Sequence, residues 1–405
     1  MSHKFDFTEI IERRGTDSMK WDATERIYKD YLGKRDPKDV ICMWIADMDF
    51  YPPREIAEAV EKRAAHHIYG YTYEPLDLPE IVAKWVNKHY HIDVEPEEYS
   101  YTPGIVPAIG VALRAYCQEG DGVIILSPVY GPFSKTIKQN NMTLQSVELK
   151  HEQDGWEIDF EALEAAVNEK TKVLLFCSPH NPIGRVWRKD ELEKIRDFVI
   201  KHDLLLISDE IHADFIYSGH EHFSPVRMPE LRDRTITCFA PSKTFSVAGL
   251  MASAIIIRNP ELREKFRAER DKSGLHGNMF GYLAMRAAWL HGEPWMREMM
   301  EVLEQNRDYL FEKINELNEY GVALTRPEST FLAFIDFREF MQKTGMTEQA
   351  ELMRFILEDA GIAMNPGTDF GPEGKGYARM NFGCPLSRIE EAVERLAKAV
   401  KAKLA

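Results

Sequence analysis

The chain has 405 residues, of which 44% are hydrophobic and 29% charged, and a formal net charge of −15. That length exceeds what one hydrophobic core usually organises and predicts two domains, while the acidic balance disfavours non-specific binding to nucleic acid or to an anionic membrane surface. No run of about eighteen apolar residues is present and residues 1–7 lack the apolar stretch of a secretory signal, which predicts no membrane span and a cytoplasmic location.

In chain order, Thr102-Pro103-Gly104-Ile105-Val106 precedes a helical stretch over 108–116. A buried strand is predicted at 123–126, followed by Ser127-Pro128-Val129-Tyr130. An amphipathic stretch at 160–168 leads to a second apolar strand at 173–177, followed by Ser178-Pro179-His180-Asn181-Pro182. A further amphipathic stretch, 190–202, leads to a strand at 204–208 and then Asp209-Glu210-Ile211-His212. Strands at 235–239, followed by Ala240-Pro241-Ser242-Lys243, and at 254–257 complete the series. Continuous apolar strands alternating with helical patterns predict a mainly parallel α/β sheet. From about Glu293 the character changes: one long helix at 295–320, strands at 331–337 and 379–382, and a last helix at 388–401. These predict a smaller α+β domain joined by the N-terminal segment. The expected division is 48–292 for the large domain, and 1–47 with 293–405 for the small one.

The cysteines, Cys42, Cys117, Cys177, Cys238 and Cys384, are odd in number, widely spaced and never in a CxxC pair. Neither a disulfide framework nor a Cys-rich zinc site is expected. His66-His67 with His91 or His276 lacks any metal-binding spacing, so no metal is predicted.

Functional groups concentrate after the strands. Tyr130, Asn181, Asp209 and Lys243 each follow a predicted buried strand, where ligands bind in open α/β sheets. Taken singly, each has an ordinary reading: a solvated lysine, a helix N-cap aspartate, an Asn-Pro turn, a packed tyrosine. Four at successive strand ends argue for a site. Lysine forms Schiff bases with carbonyl compounds such as the aldehyde pyridoxal 5′-phosphate (PLP). That cofactor acts as an electron sink only while its pyridine nitrogen stays protonated, the role of a carboxylate such as Asp209. Gly104, Ile105 and Val106 at a helix start offer N–H groups to a phosphate, and Ser242 offers a hydroxyl. Tyr130 suits a place against the ring, and Asn181 a hydrogen bond to its phenolic oxygen.

The segments SPHNPIG (178–184), SDEIH (208–212) and PSKTFSVAGL (241–250) resemble the class I/II aminotransferases of PLP fold type I. The resemblance implies a large domain with a mainly parallel seven-stranded sheet plus a smaller α+β domain. It makes Lys243 the Schiff-base lysine and Arg379, in ARMNF (378–382), the substrate-carboxylate ligand. Tyr71, in YGY (69–71), becomes a tyrosine that serves the cofactor phosphate from a neighbouring subunit, so a homodimer with shared sites is implied. WIADMDF (44–50) resembles the signature of the cystathionine β-lyase branch (the MalY/PatB type of C–S lyase). His212, where many aminotransferases carry tyrosine, supports that branch, and Asp47 enters as a candidate substrate-pocket residue. The implied reaction is β-elimination from L-cystathionine or related S-substituted cysteines to thiol, pyruvate and ammonia, with amino-group transfer to a 2-oxo acid as the alternative. A PLP-fold regulator without catalysis would be expected to lose Lys243 or Asp209, and both are present.

Overall fold

The computed structural model describes residues 4–152 and 155–405. They fall into two compact units. The larger is Tyr51–His180 with Arg185–Arg297, and the smaller is Met1–Phe50, Asn181–Gly184 and Glu298–Ala405.

The larger unit is built on seven strands: β1 (Tyr99–Thr102), β2 (Gly122–Ser127), β3 (Thr143–Glu148), β4 (Thr171–Cys177), β5 (Leu205–Asp209), β6 (Thr235–Phe239) and β7 (Ser253–Ile257). Their order is β1-β7-β6-β5-β4-β2-β3. Only β7 pairs antiparallel, with β1 and β6; the remaining pairs are parallel. The five inner strands are the five predicted from their apolar runs. The two edges escape that reading because their sequences, YSYT and TLQSVE, mix hydroxyl, amide and charged groups with apolar ones. One sheet face packs Val123, Ile125, Val173, Leu175, Ile207, Ile236 and Ile255 against Ile109, Ala112 and Leu113 of helix α1 (Ile105–Tyr116). Burying each of the larger aliphatic side chains contributes about 1.5–3 kcal/mol, which fixes the sheet as the rigid platform of the unit.

The smaller unit holds an antiparallel sheet of β8 (Ala323–Leu324), β9 (Leu332–Asp336), β10 (Asn365–Pro366) and β11 (Tyr377–Asn381), in the order β8-β9-β11-β10. The N-terminal segment joins this unit through a short parallel pairing, Ile41 with Ile362 and Cys42 with Ala363. Helix α2 (Glu293–Asn315) stops five residues short of the expected end. The Asn315 side chain turns back onto both the N–H and the carbonyl of Leu324, each at 3.0 Å. A short 3-10 turn, Asn318–Tyr320, then closes on Gly321 at φ 86°. Helix α3 (Leu386–Leu404) buries Ile389, Ala392, Val393, Leu396 and Val400, the 3–4 spacing of an apolar stripe. Among the described residues no helix is long and apolar enough to cross a membrane.

Candidate active site

In the larger unit the parallel register brings strand ends level. Cys177, Asp209 and Cys238 are cross-strand partners on β4, β5 and β6. The ladder runs on beyond them, with Ser178 N–H donating to Asp209 O and Glu210 N–H to Cys238 O, both at 2.9 Å. Asp209, His212, Tyr130 and Lys243 therefore emerge along one sheet edge. Lys243 sits in a single helical turn, Pro241–Thr244, that starts two residues after β6. Ser242 is buried and donates its hydroxyl to Ala252 O at 3.3 Å.

Asp209 is a strongly perturbed acid at this edge. Burial pushes its carboxyl up to about 7, against a hydrogen bond from Ile211 N–H at 3.1 Å and the nearby charge of Lys243. A carboxylate lifted by burial gains from a cation placed against it. The pyridinium of PLP is such a group, so the donor set fits the cofactor. The phosphate end fits as well. At the start of α1, Gly104 is open: a Cβ there would meet only Pro107 Cδ, at 3.6 Å. Backbone N–H groups of Ile105 and Val106 lie in the first turn of this helix, where intrahelical acceptors are lacking. His212 is 2% exposed and packs near the Phe215 ring. Tyr130 is half-buried, edge-on to Phe133. Tyr71 is fully exposed, in a run with Ile68, Tyr69, Tyr73 and Leu76.

In the smaller unit, Arg379 on β11 is 4% exposed and its guanidinium is held on several sides. Nη2 donates to Trp44 O at 2.8 Å and to Asn365 Oδ1 at 2.6 Å, and Nη1 donates to Asn181 Oδ1 at 3.1 Å. The Phe370 ring lies 4.7 Å from the guanidinium carbon. Asn181 and Arg379 thus share one unit although 198 residues separate them. Asp47 is engaged by Arg13 at 2.7 Å and lies 3.9 Å from Lys20.

The WIADMDF segment is an anchoring device. Trp44 Nε1 donates to Lys20 O and to Thr24 Oγ1, at 3.0 and 2.8 Å. Asp49 accepts from Lys20 Nζ and from Arg13 Nη1, both at 2.6 Å, and from Trp21 Nε1 at 3.1 Å. Asn381, two residues after Arg379, donates to Ile45 O and Asp47 O.

Several residues of the site carry no sequence signal of their own. Asn365 lies on a two-residue strand, and Arg13 and Lys20 look like ordinary surface cations in an acidic chain. His180, within SPHNPIG, is buried with Nε2 on Pro128 O at 2.8 Å, and burial lowers its imidazole to about 4. Among the described residues no group of three His, Cys, Asp or Glu is placed to hold a metal.

The chain resembles known proteins over almost its whole length. It is 34% identical over 403 residues to cystathionine beta-lyase PatB of Bacillus subtilis (strain 168), covering 97% of this chain and 99% of that protein. It is 31% identical over 407 residues to protein MalY of Escherichia coli (strain K12), covering 98% and 99%. Among solved structures, cystalysin from Treponema denticola, which contains a pyridoxal 5′-phosphate cofactor, matches with a TM-score of 0.91 at 38% identity, covering 98% of this chain and 99% of that one. The family model for aminotransferase class I and II matches residues 38–396, a span that includes Gly104, Asn181, Asp209, Lys243 and Arg379, and the chain belongs to that family.

Proposed function

We propose that the protein is a PLP-dependent carbon–sulfur β-lyase that converts L-cystathionine or related S-substituted cysteines to thiol, pyruvate and ammonia. The observation that carries this reading is the pairing of a lysine and a burial-raised aspartate at adjoining strand ends, in a chain whose full-length relatives include proteins named cystathionine beta-lyase and cystalysin. Bound PLP supplies an aldehyde for an amine and a protonated ring that withdraws electrons from the substrate's Cα.

The chain's own residues do the rest. Asp209 holds the proton at the ring nitrogen, and the N–H groups of Ile105 and Val106, beside Gly104, cradle the phosphate with the Ser242 oxygen. Tyr130 and His212 bound the ring, and Asn181 addresses its phenolic oxygen. Arg379 holds the substrate carboxylate, its plane already set by Trp44 O, Asn365 and Phe370, so little is lost in ordering it. Asp47 contributes at the substrate end with its charge matched by Arg13. Lys243 Nζ takes the Cα proton, which sets up departure of a thiolate from Cβ. Water then converts the released enamine to pyruvate and ammonia.

The working form is a homodimer with shared sites, in which Tyr71 reaches the phosphate of the neighbouring subunit. Support comes from the exposed apolar run around Tyr71, which a monomer would leave in water. The cytoplasm suits a chain whose five cysteines are all free.

The deciding experiment is incubation with L-cystathionine in the absence of any 2-oxo acid. Catalytic release of pyruvate and free thiol is expected, whereas product that forms only after a 2-oxo acid is added would make the protein an aminotransferase. Lys243→Ala should lower turnover by orders of magnitude, and near-normal activity would mean that another lysine serves. Arg379→Ala should weaken substrate binding, and unchanged affinity would remove Arg379 from that role.

A further inference from the structure

The turn that bears Lys243 is too short to hold itself. Four residues, Pro241–Thr244, make one helical turn, and a single turn fixes several dihedrals for very few hydrogen bonds. Two residues beyond it, Ser246 takes φ 52°, a left-handed conformation that costs energy in a residue with a Cβ. Something outside the turn has to fix it.

That tie is Asp214. It lies five residues beyond Asp209, on the segment that also bears His212. Its Oδ2 accepts from Thr244 Oγ1 at 2.6 Å, and its Oδ1 accepts from Tyr90 OH at 2.6 Å. Thr244 follows Lys243 directly and is fully buried. Tyr90, the last residue of the helix Leu78–Tyr90, stacks on Phe239 with centroids 4.6 Å apart and planes 7° apart. Phe239 is the end of β6, from which the Lys243 turn departs. One carboxylate therefore closes a ring that runs from the end of β5 through Asp214 and Thr244 back to the end of β6. Two hydroxyl donors on its two oxygens match an ionised carboxylate. Burial raises its carboxyl, while these hydroxyls and the neighbouring His89 and His222 oppose that shift. Glu210 is the other acidic group acting on Tyr90.

We propose that Asp214 is a positioning residue for Lys243, setting the lysine turn against the Asp209 turn through Thr244 and Tyr90. The proposal rests on Lys243 being the cofactor-bearing lysine. It requires that loosening the tie alter the ionisation of the lysine–cofactor linkage and the proton transfer that follows, with substrate capture by Arg379 untouched.

The test uses PLP-loaded protein. Thr244→Val removes the hydroxyl at nearly constant volume, Thr244→Ser restores it, and Tyr90→Phe cuts the other arm while keeping the ring stack. Thr244→Val is expected to lower kcat by roughly tenfold or more with KM within about twofold of wild type. It should also move the pH midpoint of the yellow absorbance band by about half a unit or more, a change that simple loss of stability does not cause. Thr244→Ser should return both values toward wild type, and Tyr90→Phe should move the midpoint in the same direction. If the Thr244→Val midpoint and kcat superimpose on wild type, Asp214 does not position Lys243. Should Thr244→Val fail to fold, an unmoved midpoint in Tyr90→Phe overturns the proposal equally. Borohydride reduction of wild-type protein followed by peptide mapping separates the two levels. A label away from Lys243 refutes the lysine assignment itself, whereas a label on Lys243 with unmoved variants refutes only the role of Asp214.

Discussion

Asp209 and His180 lie at the same sheet edge, and burial moves both from their ordinary ionisation. Folding raises the Asp209 carboxyl from 3.8 to about 7. A raised carboxyl leaves stability intact below its unfolded value, near pH 4, and withdraws it as pH climbs through 7. Cofactor-free protein at pH 8 therefore carries a penalty on the order of 2–4 kcal/mol at this one residue. Asp209→Asn should melt at a higher temperature than wild type in cofactor-free protein at pH 8, with the advantage shrinking toward pH 4, while activity is lost. A thermal series across pH reads this directly, and equal melting temperatures at pH 8 would show that water or a neighbour already solvates the carboxylate. His180 runs the other way. Its imidazole is lowered from 6.5 to about 4, so its contribution is full above pH 6.5 and is lost as pH falls from there toward 4. In His180→Gln that part of the acid limb should flatten.

At the scale of elements, the N-terminal segment is held by ions more than by regular structure. Among its described residues before Arg54 the regular elements are a four-residue helix, a 3-10 turn and a two-residue strand. Lys20, 1% exposed, and Arg13 close on Asp49. Burial opposes the charge on Asp49, but Lys20 first, then Trp21 and Arg13, hold its carboxyl below the ordinary range. Stability from this group is present above about pH 4 and is lost as pH falls through the lowered value. Lys20→Met leaves a buried carboxylate with one cation fewer and should cost about 3–5 kcal/mol in urea unfolding at pH 7, the loss usual when one partner of a buried pair is removed. A cost below about 1 kcal/mol would mean that Arg13 alone suffices. Pattern reading finds elements whose stability is apolar, such as TKVLLFC and SAIII. It misses β1, β3 and this ion-held segment, because no hydrophobic period marks them. Of the proposed site, Lys243, Asp209 and Arg379 are legible from motif order. Asn365 and Asp214 are not, since an amide on a two-residue strand and a carboxylate in a turn gain meaning only from what they touch.

For the whole molecule, the proposed sharing of sites between subunits predicts complementation. Lys243→Ala and Tyr71→Ala, each impaired alone, should regain up to about a quarter of wild-type activity when mixed and allowed to exchange subunits, because in a two-fold dimer only hybrids rebuild an intact site. No recovery after proven exchange would place Tyr71 outside the neighbour's site.

The Ile41–Ile362 pairing bears on how the chain is made. A ribosome that has emitted residue 41 must add 321 more, 362 minus 41, before its strand partner exists. At about 5–20 residues per second this interval lasts roughly 15–60 s. Throughout it Trp21, Tyr28 and Trp44 lack Leu357 and Ala363, the two members of their buried cluster that come from the far end of the chain. Tyr51–His180 and Arg185–Arg297, by contrast, are complete once residue 297 is out. Stalled chains from which residue 297 has just emerged should therefore carry a protease-resistant middle and a protease-sensitive first fifty residues, so the segment made first matures only with the segment made last.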